Sequence, residues 1–229
     1  MKKLIRGIAE FRRTIRPGYR ETFARLALEQ KPDAVFVSCS DSRVVPNLFA
    51  STDPGDLFVV RNAGNLIAPC DESGKTLGDL SAAAAIEFAL GYLPVTDVVV
   101  CGHSECGAMR AILQGLPDES APNLRQWLLT GRRALERLER GGAPHPELAR
   151  HNQLGQVNVL VQCEHLMTYP DVRRRVEAGL LRVHAWWFDI ARADVYAHEA
   201  EEGRFVLIDE AEAARILARL EVGGAAGSR

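Results

Sequence analysis

Two short segments carry side chains that could bind a soft metal ion. In the first, the apolar run 35–38 is followed by Cys39. In the second, three valines and a cysteine precede Gly102, and His103 and Cys106 follow. Runs rich in valine favour buried strands, and open α/β sheets form their binding crevices at the carboxyl ends of strands. We therefore predict that two thiols and one imidazole meet at one edge of a sheet.

These three side chains match the donors of catalytic zinc sites, in which three protein ligands leave a fourth position open. Cys39, His103 and Cys106 would supply two thiolates and one imidazole. The His-x-x-Cys spacing alone is a weak signal, because a packed thiol beside a hydrogen-bonded imidazole explains it as well. A ligand from a distant strand predicts a site built on a sheet rather than a local zinc finger.

Asp41 and Arg43 follow Cys39 at a spacing that lets both side chains point the same way in an extended loop. A guanidinium can orient a carboxylate through two parallel hydrogen bonds. The oriented Asp41 could then either fill the fourth position on the metal or accept a hydrogen bond there. The alternative is an ordinary loop salt bridge, which is common and contributes little.

The composition predicts one globular domain without a nucleic-acid or membrane partner. The chain has 229 residues, of which 47% are hydrophobic and 25% charged, as in soluble domains with a full core. The net charge of −2 implies no strong attraction to polyanions. No apolar run approaches the roughly 18–20 residues that span a bilayer.

The cysteine content favours a reducing compartment. There are five cysteines, an odd number, which argues for free thiols rather than a disulfide framework. The basic start of the chain is typical of an export signal, but Glu10, Arg12 and Arg13 interrupt it before an apolar core develops. We predict a cytoplasmic protein.

Alternating strand and helix patterns predict an α/β fold with a mostly parallel central sheet flanked by helices. We predict a single domain, 1–229, with an N-terminal helical arm over 1–30 and a disordered tail over 222–229. We predict strands over 35–38, 57–61, 97–101, 181–188 and 205–208. Helices are expected over 4–30 with a break at Pro17-Gly18, and over 44–49, 77–90, 107–113, 123–140, 147–167 and 170–179.

The combination of Cys-x-Asp-x-Arg with His-x-x-Cys resembles the β-class carbonic anhydrases. The resemblance extends over about residues 20–208 and is closest to the bacterial and cyanobacterial branch. Asn158 with Thr168-Tyr-Pro belongs to it, as do four longer segments: Phe-Val-Val-Arg-Asn-Ala-Gly-Asn (58–65), Ala-Ile-Glu-Phe-Ala (85–89), Val-Val-Cys-Gly-His-Ser-Glu-Cys-Gly-Ala-Met (99–109) and Asn-Leu-Arg-Gln-Trp-Leu (123–128).

The resemblance implies a zinc enzyme that hydrates CO2 reversibly to bicarbonate and a proton by zinc-bound hydroxide. One Zn2+ per chain would be held by Cys39, His103 and Cys106, with Asp41 as a fourth ligand in a closed form. Asp41 and Arg43 would be the catalytic pair. The resemblance does not decide whether the protein associates with carboxysomes.

The resemblance also implies the substrate pocket and the oligomer. Gln30 would hydrogen-bond the substrate, Ala63 and Gly107 would line the pocket, and Phe58 and Phe88 would close it from the partner subunit. The N-terminal arm would cross to that partner, which predicts a homodimer or a higher even oligomer. The alternative for the two phenylalanines is a place in the core.

Three positions depart from a bicarbonate pocket that some bacterial members build from Trp, Arg and Tyr. They hold Phe36, Arg61 and Phe188 here, so we predict that this form of bicarbonate inhibition is absent. The presence of Gln30 favours the constitutively open type, in which Asp41 stays off the zinc near neutral pH.

Two other functions fit the same residues. One is hydrolysis of COS or CS2 by an enzyme of the same fold. Access to the pocket would distinguish such an enzyme from a carbonic anhydrase. The other is a non-catalytic, zinc-stabilised binding protein, which would be expected to lack Asp41 or Arg43, yet both are present.

Overall fold

Six strands form one sheet in the computed structural model, which describes residues 1–117 and 119–224. The strands are β1 (Ala34–Cys39), β2 (Leu57–Asn62), β3 (Asp97–His103), β4 (Arg182–Asp189), β5 (Asp194–Glu199) and β6 (Arg204–Leu207). Their order is β2-β1-β3-β4-β5-β6. The first four are parallel and the last two join antiparallel. The predicted α/β fold with a mostly parallel sheet is confirmed.

Helices flank the sheet, and the first two form the N-terminal arm. They are α1 (Lys2–Glu10), α2 (Arg16–Leu26), α3 (Pro46–Phe49), α4 (Leu80–Tyr92), α5 (Gly107–Leu113), α6 (Pro122–Leu128), α7 (Arg132–Glu139), α8 (Arg150–Leu166), α9 (Pro170–Glu177) and α10 (Glu210–Gly224). None of the helices in the described ranges has the length and hydropathy that a membrane crossing requires.

The prediction missed two elements, β5 and α10. The antiparallel end of the sheet depends on β5, whose residues alternate in exposure and lack the apolar run that marked the parallel strands. The predicted disordered tail, 222–229, overlaps the last turn of α10, which reaches Gly224. The rest of that prediction, 225–229, lies outside the described residues.

The N-terminal arm is helical as predicted, but the break at Pro17-Gly18 is wrong. A π-helical turn, Phe11–Ile15, joins α1 to α2 in one continuous run. Proline lacks an N–H and clashes with the carbonyl one turn before it, and the wider π turn removes that carbonyl from its regular position. The arm therefore projects as one rod, with Leu4, Ile8 and other apolar residues exposed.

The helix predicted over 123–140 is two helices. A 3₁₀ turn, Leu129–Gly131, separates α6 from α7. A Cβ atom at Gly131 would lie 2.6 Å from the Ile112 side chain of α5. The chain bends where it passes close over α5, and a side chain at position 131 would require Ile112 to shift.

Helix α8 crosses the sheet at short range, directly behind the end of β3. A Cβ atom at Gly155 would lie 2.7 Å from the Trp187 ring, and one at Gly102 would lie 2.6 Å from Val159 of α8. Trp187 is buried between these two glycines. The close approach also places Gly155 beside the main-chain oxygen of His103, so α8 supports the end of β3 from behind.

We expect Gly155→Ala to lower the free energy of unfolding by about 1–3 kcal/mol, because the added methyl overpacks a rigid, buried indole. Urea denaturation at matched protein concentration measures the change. Gly91→Ala in α4 is the control, since a Cβ atom there meets nothing within 4 Å, and we expect it to be neutral or slightly stabilising. A Gly155→Ala protein as stable as the Gly91→Ala protein would contradict the packing described.

Candidate metal centre

Cys39, His103 and Cys106, the Cys-His-Cys cluster, come together at the carboxyl edge of the sheet as the sequence predicted. Their ligand atoms all lie within 4.8 Å of one another, and all three residues are buried. Cys39 ends β1 and His103 ends β3, and these strands are neighbours in register, with Ser38 opposite Cys101. Cys106 caps the N-terminus of α5.

The histidine of this cluster has one ring nitrogen committed and one available. Its Nδ1 lies 2.8 Å from the main-chain oxygen of Ser104 and donates to it. Its Nε2 is buried and has no hydrogen-bond partner in the described part of the chain. A buried polar atom without a partner costs free energy, and a metal ligand would remove that cost. Two sulfurs and one imidazole nitrogen, fixed by a hydrogen bond on its far side, fit zinc.

The environments of the two sulfurs shift their pKa values in opposite directions. A hydrogen bond from Cys106 holds the pKa of Cys39 well below its usual value, and the Gly64 amide, 3.3 Å from the sulfur, adds to this effect. The same interaction with Cys39, together with burial, raises the pKa of Cys106, although the amides of Ala108 and Met109 oppose the shift. A bound metal ion would favour the thiolate form of both sulfurs.

Asp41 and Arg43 form the bidentate pair that the sequence predicted. Arg43 Nε donates to Asp41 Oδ1 at 2.9 Å, and Arg43 Nη2 donates to Oδ2 at 2.7 Å. These bonds hold the pKa of Asp41 well below its usual range. Arg43 Nη2 also donates to the main-chain oxygen of Glu105 at 3.2 Å, which ties the loop after β1 to the loop after β3. With both oxygens engaged by Arg43, Asp41 stands outside the group of three close ligand atoms.

Arg61 organises the loop that carries Cys39 and Asp41, a role that the sequence did not reveal. Its guanidinium donates to three main-chain oxygens: Cys39 at 2.9 Å, Asp41 at 2.8 Å and Val44 at 2.8 Å. The loop turns around this one side chain, which projects from the neighbouring strand β2. The only signal in the sequence was an arginine at the end of an apolar strand.

Glu105 is a second residue that sequence reasoning missed. It lies in the left-handed region, with φ +60°, in the turn between His103 and Cys106. Its amide donates to Asn152 Oδ1 at 2.8 Å, and its carboxylate contacts His151 Nε2 at 3.0 Å and pairs with Arg110. These contacts hold an unfavourable backbone conformation in place.

Ala63 and Gly107 lie beside the Cys-His-Cys cluster, whereas Gln30 lies in the segment that joins the arm to β1. Ala63 precedes the glycine that donates to Cys39, and Gly107 directly follows Cys106 at the start of α5. A Cβ atom at Gly107 would meet nothing within 4 Å, so it borders open space. Gln30 is exposed.

Phe58 and Phe88 lie away from the metal ligands of their own chain. Phe58 pairs with Val35, near the start of the edge strand β2, while Cys39 pairs with Asn62 at its end. The two rings stack at 5.9 Å, and Phe88 stays 42% exposed. The pair is thus not fully absorbed into the core of the single chain.

Phe36 and Phe188 pack on the face of the sheet opposite to Phe58. Phe49 stacks on Phe188 with ring centroids 4.6 Å apart, and it lies 6.0 Å from Phe36. Arg61, the third position of the bicarbonate pocket described above, is engaged with main-chain oxygens. The predicted absence of bicarbonate inhibition stays a prediction.

Known proteins match this chain over most of its length. A family model described as carbonic anhydrase matches residues 34–195. A carbonic anhydrase of Pseudomonas aeruginosa is 39% identical over 211 residues, 92% of this chain and 93% of that protein. A carbonic anhydrase of Synechococcus elongatus is 39% identical over 200 residues, 85% of this chain and 70% of that protein.

Solved structures that resemble this chain point to the same family. The β-carbonic anhydrase CcaA superposes with a TM-score of 0.82 at 33% identity, covering 92% of each chain. A β-carbonic anhydrase of Sordaria macrospora, described as tetrameric, superposes with a TM-score of 0.72 at 27% identity, covering 91% of this chain and 98% of that one. The chain therefore belongs to the β class of the carbonic anhydrase family.

Proposed function

We propose that this protein is a zinc-dependent carbonic anhydrase, which hydrates CO2 reversibly to bicarbonate and a proton. The observation that carries the proposal is the buried Cys-His-Cys cluster, whose ligand atoms lie within 4.8 Å of one another beside the Asp41–Arg43 pair. Relatives at 39% identity that bear the name carbonic anhydrase support it.

In this proposal the cation is held by the sulfurs of Cys39 and Cys106 and by His103 Nε2, the buried nitrogen that no described group bonds. When bound, zinc would act as a Lewis acid that makes water a nucleophile near neutral pH. The hydrogen bond from His103 Nδ1 to the oxygen of Ser104 fixes the tautomer and raises the basicity of the ligand nitrogen.

Asp41 acts as the hydrogen-bond acceptor for the attacking water. A carboxylate that accepts two bonds from Arg43 still has free lone pairs, and the low pKa of Asp41 keeps it ionised. Arg43 fixes the direction of that acceptor, and Arg61 fixes the loop that carries it. The chain thereby aligns the nucleophile toward the carbon of CO2 without rearranging during the reaction.

CO2 carries no net charge, so its pocket must bind it by apolar contact. Ala63 and Gly107 form the side given by this chain, and Gln30 supplies a polar contact to the substrate. Phe58 and Phe88 come from a second copy, because Phe58 lies at the far end of β2 from its own cluster and Phe88 of α4 stacks on it. The apolar arm packs on that copy, which makes the functional unit a homodimer or a higher even oligomer.

We expect Cys106→Ser to lose zinc and CO2 hydration together, because the hydroxyl does not replace a thiolate as a soft ligand. Metal analysis of the purified protein and rapid-mixing CO2 hydration measure the two effects. Cys70→Ala is the control, since Cys70 is a buried free thiol outside the cluster. Full activity of a protein with almost no metal would rule out the mechanism.

Asp41→Asn should lower kcat/KM for CO2 hydration by about 100-fold or more while zinc content stays the same, because the amide is a poorer acceptor and loses the bidentate pair. Asp171→Asn, which alters an exposed ion pair in α9, should leave kcat/KM unchanged. Wild-type turnover in Asp41→Asn would remove Asp41 from the mechanism.

The open form should persist as the pH falls from mildly alkaline to neutral. Arg43 holds the pKa of Asp41 far below neutral, so the ion pair is intact throughout this range and is lost only on strong acidification. We expect CO2 hydration to decline gradually with pH. An abrupt loss at mildly alkaline pH, together with a crystal structure showing Asp41 on zinc, would contradict this.

A further inference from the structure

Trp127 lies in the segment 123–128, one of the motifs that carried the family resemblance, yet no role in the reaction accounts for it. The residue projects from α6, is partly buried, and packs against the apolar cluster that contains Cys39 and Cys106. Its indole Nε1 donates to the main-chain oxygen of Ala63 at 2.7 Å. This hydrogen bond connects a helix distant in sequence to the loop beside the metal ligands.

The acceptor of that bond belongs to the peptide unit that contacts Cys39. The oxygen of Ala63 and the N–H of Gly64 are opposite ends of one trans peptide plane. The Gly64 N–H donates to Cys39 Sγ at 3.3 Å. Because the plane is rigid, fixing the oxygen fixes the direction of the N–H, and donation to the oxygen strengthens the N–H as a donor.

The following peptide group, between Gly64 and Asn65, is also held by a side-chain hydrogen bond. Asn158 of α8 is fully buried and donates to the main-chain oxygen of Gly64 at 3.1 Å. Gln162 donates to Asn158 Oδ1 at 2.9 Å and accepts from the amide of Ile67 at 2.7 Å, which fixes the orientation of both side-chain amides. Gly64 itself has φ +86°, and a Cβ atom there would lie 2.9 Å from that of Ala108, so the loop cannot easily move.

We propose that Trp127 is a positioning residue for the metal centre. Its indole N–H orients and polarises the Ala63–Gly64 peptide, so that the Gly64 amide withdraws charge from the Cys39 sulfur. The inference rests on the proposed zinc site and adds to it a control on how strongly one thiolate donates to the metal. Hydrogen bonds to ligating atoms tune metal affinity and ligand charge in this way.

Trp127→Phe tests the proposal, because it keeps an aromatic ring against the apolar cluster and removes only the donor. We expect zinc affinity, measured by competition with a chelator, to fall about 10-fold, because the Gly64 amide no longer favours the Cys39 thiolate over the thiol and the loop beside it is held less firmly. The thiolate-to-cobalt charge-transfer band of the cobalt-substituted protein should move to lower energy, since the sulfur becomes more electron-rich. Trp186→Phe makes the same chemical change against Phe36, on the other face of the sheet, and should alter neither quantity.

A Trp127→Phe protein with wild-type zinc affinity and an unshifted band would overturn the inference and leave the zinc site standing. A wild-type protein that binds neither zinc nor cobalt would overturn both. If the variant does not fold, NMR of the unmodified protein loaded with a magnetic cadmium isotope decides the matter. Scalar coupling between the metal and the Gly64 amide proton would support the bond to the Cys39 sulfur, and its absence would contradict it.

Discussion

Two sulfurs that must both be thiolates when a cation binds have to lie within reach of it, and this requirement shapes the structure around them. Like charges at that distance repel in a buried setting, so the protein surrounds them with donors before any metal binds. The Gly64 amide contacts Cys39, and the first amides of α5 face Cys106. The parallel pairing of β1 with β3 then brings the imidazole to the same point.

Long-range hydrogen bonds to main-chain atoms hold the loops of the site, more than ion pairs do. Arg61 holds three carbonyl oxygens of the Cys39 loop, and Trp127 and Asn158 hold two successive oxygens of the Gly64 loop. These bonds come from side chains of β2, α6 and α8, so three other elements hold the loops around the candidate ligands.

The single chain displays surfaces that suit a second copy. The arm exposes its apolar residues along α1, and Phe88 of α4 stays 42% exposed where it stacks on the partly buried Phe58 of the edge strand β2. Apolar area of this kind is stabilised by removal from water.

The sequence by itself determined the candidate ligands and the class of fold. An apolar run that leads toward Cys39 or His103 is a local pattern, and local patterns predict parallel strands whose ends meet at one edge. Only the tertiary structure decided that helix continues through Pro17, that β5 pairs antiparallel, and that Arg61 and Trp127 bind main-chain oxygens near the metal ligands. These features depend on direction and distance between residues far apart in the chain, and no local spacing of residue types encodes them.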